Sequence, residues 1–218
     1  MPAIANGRNA GNIGPLRGGR LAGLDGFQAD ARPIGLCIVV AIVTRLGEDV
    51  SRLDSLWIDN SDGSSGLFSD VLHGQAWRLF TPMLIHFGPA HLIFNMSWLW
   101  GLGRAMEARE GSAKYALIVG VMGVGSSALQ YGVTGDPYFG GMSGVAYGLI
   151  GYFWARGQFQ PTSGYHLARR DLLIALAWFV ACWAGLLGNI ANWAHTGGLA
   201  LGVALGYFDA RGGDVRRA

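Results

Sequence analysis

The stretch YFGGMSGVAYGL, residues 138–149, places a glycine-flanked hydroxyl side chain, Ser143, directly before an apolar segment. The apolar residues after Ser143 read as a helix, and Gly144 and Gly148 form a face of small residues of the kind that lets membrane helices approach closely. A polar side chain at bilayer depth is costly and marks a functional position. The stretch therefore predicts a short helix that begins at a functional serine inside a membrane protein.

The composition supports a membrane protein. The chain has 218 residues, of which 51% are hydrophobic and 14% charged, and its mean hydropathy is +0.31. A soluble domain carries roughly 25% charged residues. The net charge of +2 is too small to argue for nucleic acid as a partner, and Cys37 and Cys182 lie in apolar runs, where they read as small buried hydrophobes. No cofactor is implied.

Six apolar stretches divide the chain, and we interpret each as a transmembrane helix. Crossing a bilayer takes ~20 apolar residues, with ~17 as a lower limit. Two stretches fall below that limit: the first, which Arg45 interrupts, and the fourth, which begins at Ser143. The stretches cover about 34–46, 91–108, 115–133, 143–156, 171–188 and 192–209.

The expected fold is thus an all-α polytopic membrane protein, a bundle of six transmembrane helices over residues 31–210. We expect residues 1–30, rich in glycine and lacking an apolar core, to form a disordered cytoplasmic tail. Residues 211–218 would form a short basic cytoplasmic tail. The long connection between stretches 1 and 2 carries many apolar residues, which favours a folded amphipathic structure lying partly in the outer leaflet.

The orientation follows from the basic residues, which favour the cytoplasmic side. With six spans most of them fall on one side, namely Arg8, Arg17, Arg20, Arg32, Arg104, Arg109, Lys114, Arg156, Arg169, Arg170, Arg211, Arg216 and Arg217. The connection between stretches 1 and 2 is instead acidic. Both termini are therefore expected in the cytoplasm of a multi-pass inner (plasma) membrane protein. The starts of stretches 2, 4 and 6 would then face the outer, periplasmic side.

Those three starts carry His91, Ser143 and His195. A serine is a weak nucleophile until a base takes its proton, and the start of a helix favours a developing negative charge. His195 lies in AHTGGLALG, residues 194–202, whose small residues match those after Ser143. Close contact of the two helices would bring His195 within ~2.6–3.2 Å of the Ser143 hydroxyl. Tyr147, one turn beyond the serine, can brace the imidazole.

Each of these residues also has a structural interpretation. A lone Gly-x-Ser-Gly is a common loop or packing motif, and a lone intramembrane histidine often makes an interhelical hydrogen bond. His91 and Asn95, four residues apart on one helix face, suit an oxyanion site but also suit a polar pair that joins helices. A metal site formed by His86, His91 and His195 is the alternative to a serine-based site, but no HExxH or CxxC pattern supports it. No acidic residue lies at matching depth, so a Ser–His dyad is the simpler hypothesis.

Together the motifs resemble those of the rhomboid family of intramembrane serine proteases, most closely its bacterial GlpG-like type. The resemblance covers residues 76–209 and is carried by five motifs in order: Trp77-Arg78, HLIFN at 91–95, Gly103-xxx-Glu107-xxx-Gly111, YFGGMSGVAYGL at 138–149, and NWAHTGGLALG at 192–202.

The resemblance implies a role for each site residue. Ser143 would be the nucleophile and His195 the base, while His91 and Asn95 would stabilise the oxyanion. Tyr147 would pack on the catalytic histidine, and Gly141 would support the site as part of the serine motif. One departure is Trp193, where the GlpG type has glycine, and its ring is expected to narrow substrate choice.

The resulting expectation is an intramembrane serine endopeptidase that hydrolyses peptide bonds in or next to transmembrane segments of membrane-protein substrates. Its partners would be those substrates and the lipid bilayer, with no nucleic acid. The main alternative is a non-catalytic rhomboid-like protein that binds and remodels membrane clients. A small-solute channel or transporter also explains polar residues in the spans, but not a glycine-flanked serine facing a histidine.

Overall fold

The computed structural model describes residues 31–60 and 66–215. Within these ranges the chain forms helices joined by turns, with no β-strand, which confirms the predicted all-α fold. The predicted tail at 1–30 and the last residues, 216–218, lie outside the described ranges. The second predicted tail begins at 211, yet the final helix continues past that position to Val215.

Each of the six apolar stretches falls on a helix or helical run. The second stretch corresponds to two helices joined without a break by a π-helical turn at Leu99–Gly103. The helices are α1 (Ala31–Val43), the short α2 (Ser69–Leu72), α3 (Pro89–Trp98), α4 (Arg104–Glu110), α5 (Ser112–Thr134), α6 (Ser143–Phe159), α7 (Arg169–Trp183) and α8 (Asn192–Val215).

Two predicted boundaries were wrong. The fifth stretch was expected to reach residue 188, but α7 ends at Trp183 and gives way to a turn with Gly185 and Gly188 at positive φ. The first stretch was expected to reach residue 46, but α1 ends at Val43, and Arg45 and Leu46 adopt left-handed backbone. After α7 the sequence stays apolar through Leu186 and Leu187, so an apolar pattern alone does not show where a helix ends.

Only one helix in the described part of the chain is by itself long and apolar enough to span a membrane, namely Ser112–Thr134. The other helices are shorter, or carry more polar residues. The six-span membrane bundle therefore stays a prediction.

Helices α6 and α8 pack backbone against backbone through glycines. A Cβ atom added to Gly198 would collide with the carbonyl group of Gly144, and one added to Gly202 would collide with that of Gly148. Van der Waals packing at such small-residue faces drives helix association in membranes. Because Ser143 begins α6 and His195 lies in the first turn of α8, this contact sets the two side chains side by side.

A polar cluster ties the helices together at the end opposite to Ser143. The Lys114 ammonium on α5 contacts Glu110 on α4 at 2.8 Å and Asp209 on α8 at 2.7 Å. The hydroxyl group of Tyr152 on α6 donates to Asp209 at 2.5 Å, and that of Tyr165 donates to Glu110 at 2.9 Å. Burial, and then the bond to Glu110, raise the pKa of Tyr165 above its ordinary value, so its hydroxyl group remains a donor.

The connection between α1 and α3 is folded, and Arg78 organises it. The buried guanidinium group donates to the carbonyl oxygens of Asp54 and Trp57, both at 2.8 Å. The Trp57 ring in turn stacks on Phe87, with ring centroids 6.2 Å apart, and meets Tyr138 edge-on at 5.4 Å. The Trp-Arg motif at 77–78 thus helps fix two aromatic side chains that line the cavity described below.

Because of the glycine contact, we predict that the effect of one added methyl group on stability depends on its position in α8. Gly202→Ala should lower the free energy of unfolding by about 1–3 kcal/mol, the usual cost of overpacking. Gly212→Ala, on the same helix but with open space around it, should be neutral or stabilising by up to ~1 kcal/mol because alanine favours helix. Reversible unfolding in detergent micelles measures both. Equal stability of the two variants would contradict close packing of α6 and α8.

Candidate active site

Ser143 is the first residue of α6, and the loop before it is held by the segment that leads into α3. The backbone N–H of Gly141 donates to the carbonyl oxygen of Pro82 at 3.0 Å, and that of Met142 donates to Nε2 of His86 at 3.4 Å. Met142 and His86 are fully buried. The serine therefore follows a fixed loop, and the first-turn N–H groups of α6 lack acceptors within the helix.

The structure places His195 beside this serine. Nε2 of His195 lies 2.8 Å from Oγ of Ser143, within hydrogen-bond distance, and the histidine is only 4% exposed. A serine hydroxyl group donates to an imidazole nitrogen only when that nitrogen carries no proton, so the tautomer that can accept the serine proton at Nε2 carries its own proton on Nδ1. In this tautomer the serine proton can pass directly to Nε2.

No third member completes the pair within the described residues. Nδ1 of His195 is buried and has no hydrogen-bond partner there. Asp136, the carboxylate nearest to Ser143 in sequence, is exposed at the rim of the cavity, and its Oδ1 accepts the backbone N–H of Tyr138 at 2.9 Å. The arrangement is a Ser–His pair rather than a Ser–His–Asp triad.

Tyr147 packs against the imidazole ring. The two ring centroids are 4.7 Å apart with an interplanar angle of 40°. Its hydroxyl group donates to the carbonyl oxygen of Ala175 on α7 at 3.1 Å, which fixes the ring between α6 and α7. Tyr147 therefore limits rotation of the His195 ring from one side.

His91 and Asn95, both on α3, line one cavity with Ser143. Nδ1 of His91 accepts the backbone N–H of Phe87 at 3.3 Å, so Nε2 carries the proton and is a donor. Nδ2 of Asn95 donates to the carbonyl oxygen of His91 at 2.9 Å, which uses one of the two amide protons. Both residues line the same cavity as Ser143, where they can donate to a developing oxyanion.

Gly141 makes room for the His91 ring. Its φ is +120°, in a region that residues with a Cβ atom rarely adopt. A Cβ atom there would also lie 2.7 Å from the Nε2 and Cε1 atoms of His91. Glycine is therefore required at this position on two independent grounds.

A cavity of about 600 Å³ opens over these side chains. Ser143, His195, His91, Asn95 and Tyr147 all line it. Across it, the rings of Phe94 on α3 and Trp178 on α7 stack, with centroids 5.0 Å apart. The mixture of apolar walls and a few grouped polar side chains is typical of a ligand-binding site.

Sequence reasoning missed several residues that shape the site. His86, considered only as a metal ligand, instead holds the backbone of Met142, and Gln130 lines the cavity from α5. Trp193, expected to narrow substrate choice, does not line this cavity, and its ring packs edge-on against Trp183 with centroids 5.2 Å apart. No group of three or more His, Cys, Asp or Glu side chains in the described ranges could hold a metal ion.

The chain also matches a known protein family. A family model described as Rhomboid domain matches residues 73–212, well over half of the chain. The matched range includes every residue of the site described above.

The packing of Tyr147 on His195 predicts a graded response to substitution. Tyr147→Phe keeps the ring and loses only the bond to Ala175, so it should retain most of the reactivity of Ser143 towards a fluorophosphonate. Tyr147→Ala removes the brace and should slow labelling by on the order of tenfold or more, since small misplacements of reacting groups are costly. Equal labelling rates for both variants would show that the ring does not support His195.

Proposed function

The chain belongs to the rhomboid family, and from that premise we propose that it is an intramembrane serine endopeptidase with a Ser143–His195 dyad. Members of this family are typically intramembrane serine proteases that act on membrane-protein substrates within the bilayer, although non-catalytic members exist. The proposed reaction is hydrolysis of peptide bonds in or next to transmembrane segments of such substrates. The closer, GlpG-like assignment remains a prediction.

The observation that carries the proposal is the 2.8 Å separation of His195 Nε2 and Ser143 Oγ. In the first step, Oγ attacks the scissile carbonyl carbon while its proton moves to Nε2. The resulting oxyanion accepts hydrogen bonds from His91 Nε2–H, from the second Nδ2–H of Asn95, and from the Ser143 backbone N–H. His195 then gives its proton to the leaving amine, which departs as the carbon–nitrogen bond breaks.

The acyl-enzyme is resolved by water. His195 takes a proton from the water as the hydroxide oxygen attacks the ester carbon, and Ser143 leaves with that proton. The net reaction consumes one water and releases a carboxylate and an amine. A helical substrate hides its carbonyl groups, so it must unwind locally before it reaches the cavity, and cut sites near glycine or proline are expected.

The non-catalytic alternative shares the fold and the cavity. It does not require Ser143 and His195 to be within hydrogen-bond distance in a buried site. Their juxtaposition therefore favours the enzyme. Binding of a client segment without cleavage would favour the alternative.

We predict that the dyad acts as one unit. Ser143→Ala and His195→Ala should each abolish cleavage of a tagged single-span substrate in proteoliposomes, and the double variant should be no worse than either, since members of one catalytic unit are non-additive. Unchanged unfolding curves would verify that the variants fold.

Two results would count against this mechanism. Undiminished cleavage by Ser143→Ala would exclude Ser143 as the nucleophile. Losses that multiply in the double variant would show that the two side chains act independently.

We also propose that the protein crosses the inner membrane several times, with both termini in the cytoplasm and the site towards the periplasm. The basic residues of the short connections carry this proposal. On a background without Cys37 and Cys182, an impermeant thiol reagent should label Ser55→Cys in spheroplasts with intact membranes. It should label Thr162→Cys only after the membrane is opened. The reverse pattern would place Ser143 and His195 near the cytoplasmic face.

A further inference from the structure

The first turn of α8, which carries His195, is held by a side chain from a different helix. Oε1 of Gln130 on α5 accepts the backbone N–H of Trp193 at 3.0 Å and that of Ala194 at 3.1 Å. Gln130 is only 7% exposed. Ala194 directly precedes the proposed catalytic base.

Asn192, the first residue of α8, does not accept these N–H groups. First-turn N–H groups lack acceptors within their own helix, and an asparagine at the start usually supplies one. Here Nδ2 of Asn192 donates to the carbonyl oxygen of Cys182 at 3.3 Å, and Oδ1 of Asn192 has no partner in the described ranges. The side-chain cap of α8 therefore comes from α5. It accepts the N–H of Trp193, and it shares the N–H of Ala194 with the carbonyl oxygen of Ala191, which lies 3.0 Å away.

This cap matters because the imidazole ring lacks its own anchor. In a Ser–His–Asp triad a carboxylate binds Nδ1–H and orients the ring. Nδ1 of His195 has no hydrogen-bond partner in the described residues. The direction of the ring then depends on the backbone of the first turn of α8 and on the packing of Tyr147.

We propose that Gln130 is a positioning residue for the reaction. Its carboxamide oxygen fixes the first turn of α8, and so keeps Nε2 of His195 within reach of Ser143. The proposal rests on the proposed function, because it concerns the base of that dyad. Gln130 thus performs through the backbone what a triad carboxylate performs through Nδ1.

Three variants test this role. Gln130→Met keeps the side-chain volume but removes the acceptor, whereas Gln130→Glu restores an acceptor oxygen. Tyr131→Phe is the matched control, because Tyr131 is the next residue of α5 and its hydroxyl group donates to Asp59 at 3.0 Å, away from α8. Each enzyme is incubated with a fluorophosphonate, the labelling rate of Ser143 is measured, and kcat and KM are determined with a membrane substrate.

We expect Gln130→Met to slow labelling and lower kcat by on the order of 10- to 100-fold with little change in KM, because the base is misplaced while the cavity remains. Gln130→Glu should recover most of the loss. Tyr131→Phe should lose stability yet label at the wild-type rate.

The opposite results overturn the proposal. Folded Gln130→Met that labels as fast as wild type would show that the cap does not position His195. Equal slowing in Tyr131→Phe would show that any lost hydrogen bond on α5 has the same effect. A wild-type enzyme that is labelled at Ser143 but cleaves no membrane substrate would contradict the proposed function, and the labelling rates would still decide the role of Gln130.

Discussion

The direct backbone contact between α6 and α8 is the constraint on which the site depends. Gly144 and Gly148 on one helix face Gly198 and Gly202 on the other, and no side chain fits between them. Because Ser143 and His195 each lie at the start of one of these helices, the contact brings together the two side chains, whose reacting atoms are 2.8 Å apart. Rigid helices hold reacting groups more accurately than loops do.

Other contacts in the structure orient the two side chains that the glycine contact brings together. The cluster around Lys114 joins α4, α5 and α8 at the far end of the bundle, so the helices are fixed at both ends. His86 fixes the loop before Ser143, Tyr147 packs on the imidazole, and Gln130 caps the helix that carries it. Within the described residues, the support of His195 is thus spread over neighbouring helices and does not come from a carboxylate.

The sequence predicted much of this architecture, because its dominant signals are local. The apolar stretches located the helices, and the spacing of the small residues indicated which helices pack closely. The family assignment is confirmed, and the structure brings together the serine and histidine that the motifs singled out.

The features that the sequence did not predict are long-range contacts or depend on backbone geometry. The bonds from Gln130 join residues more than 60 positions apart, and no periodicity marks them. The end of α7 at Trp183 follows from turn geometry that apolar composition conceals.

The central claim is that His195 activates Ser143 inside the bundle. Mapping the adduct of a fluorophosphonate by peptide mass spectrometry tests it most directly, because formation of the adduct requires an activated nucleophile but neither a known substrate nor substrate unwinding. The account predicts a single phosphonylated residue, Ser143, and loss of that adduct in a folded His195→Ala variant. An adduct on another residue, or undiminished modification of Ser143 without His195, would contradict it.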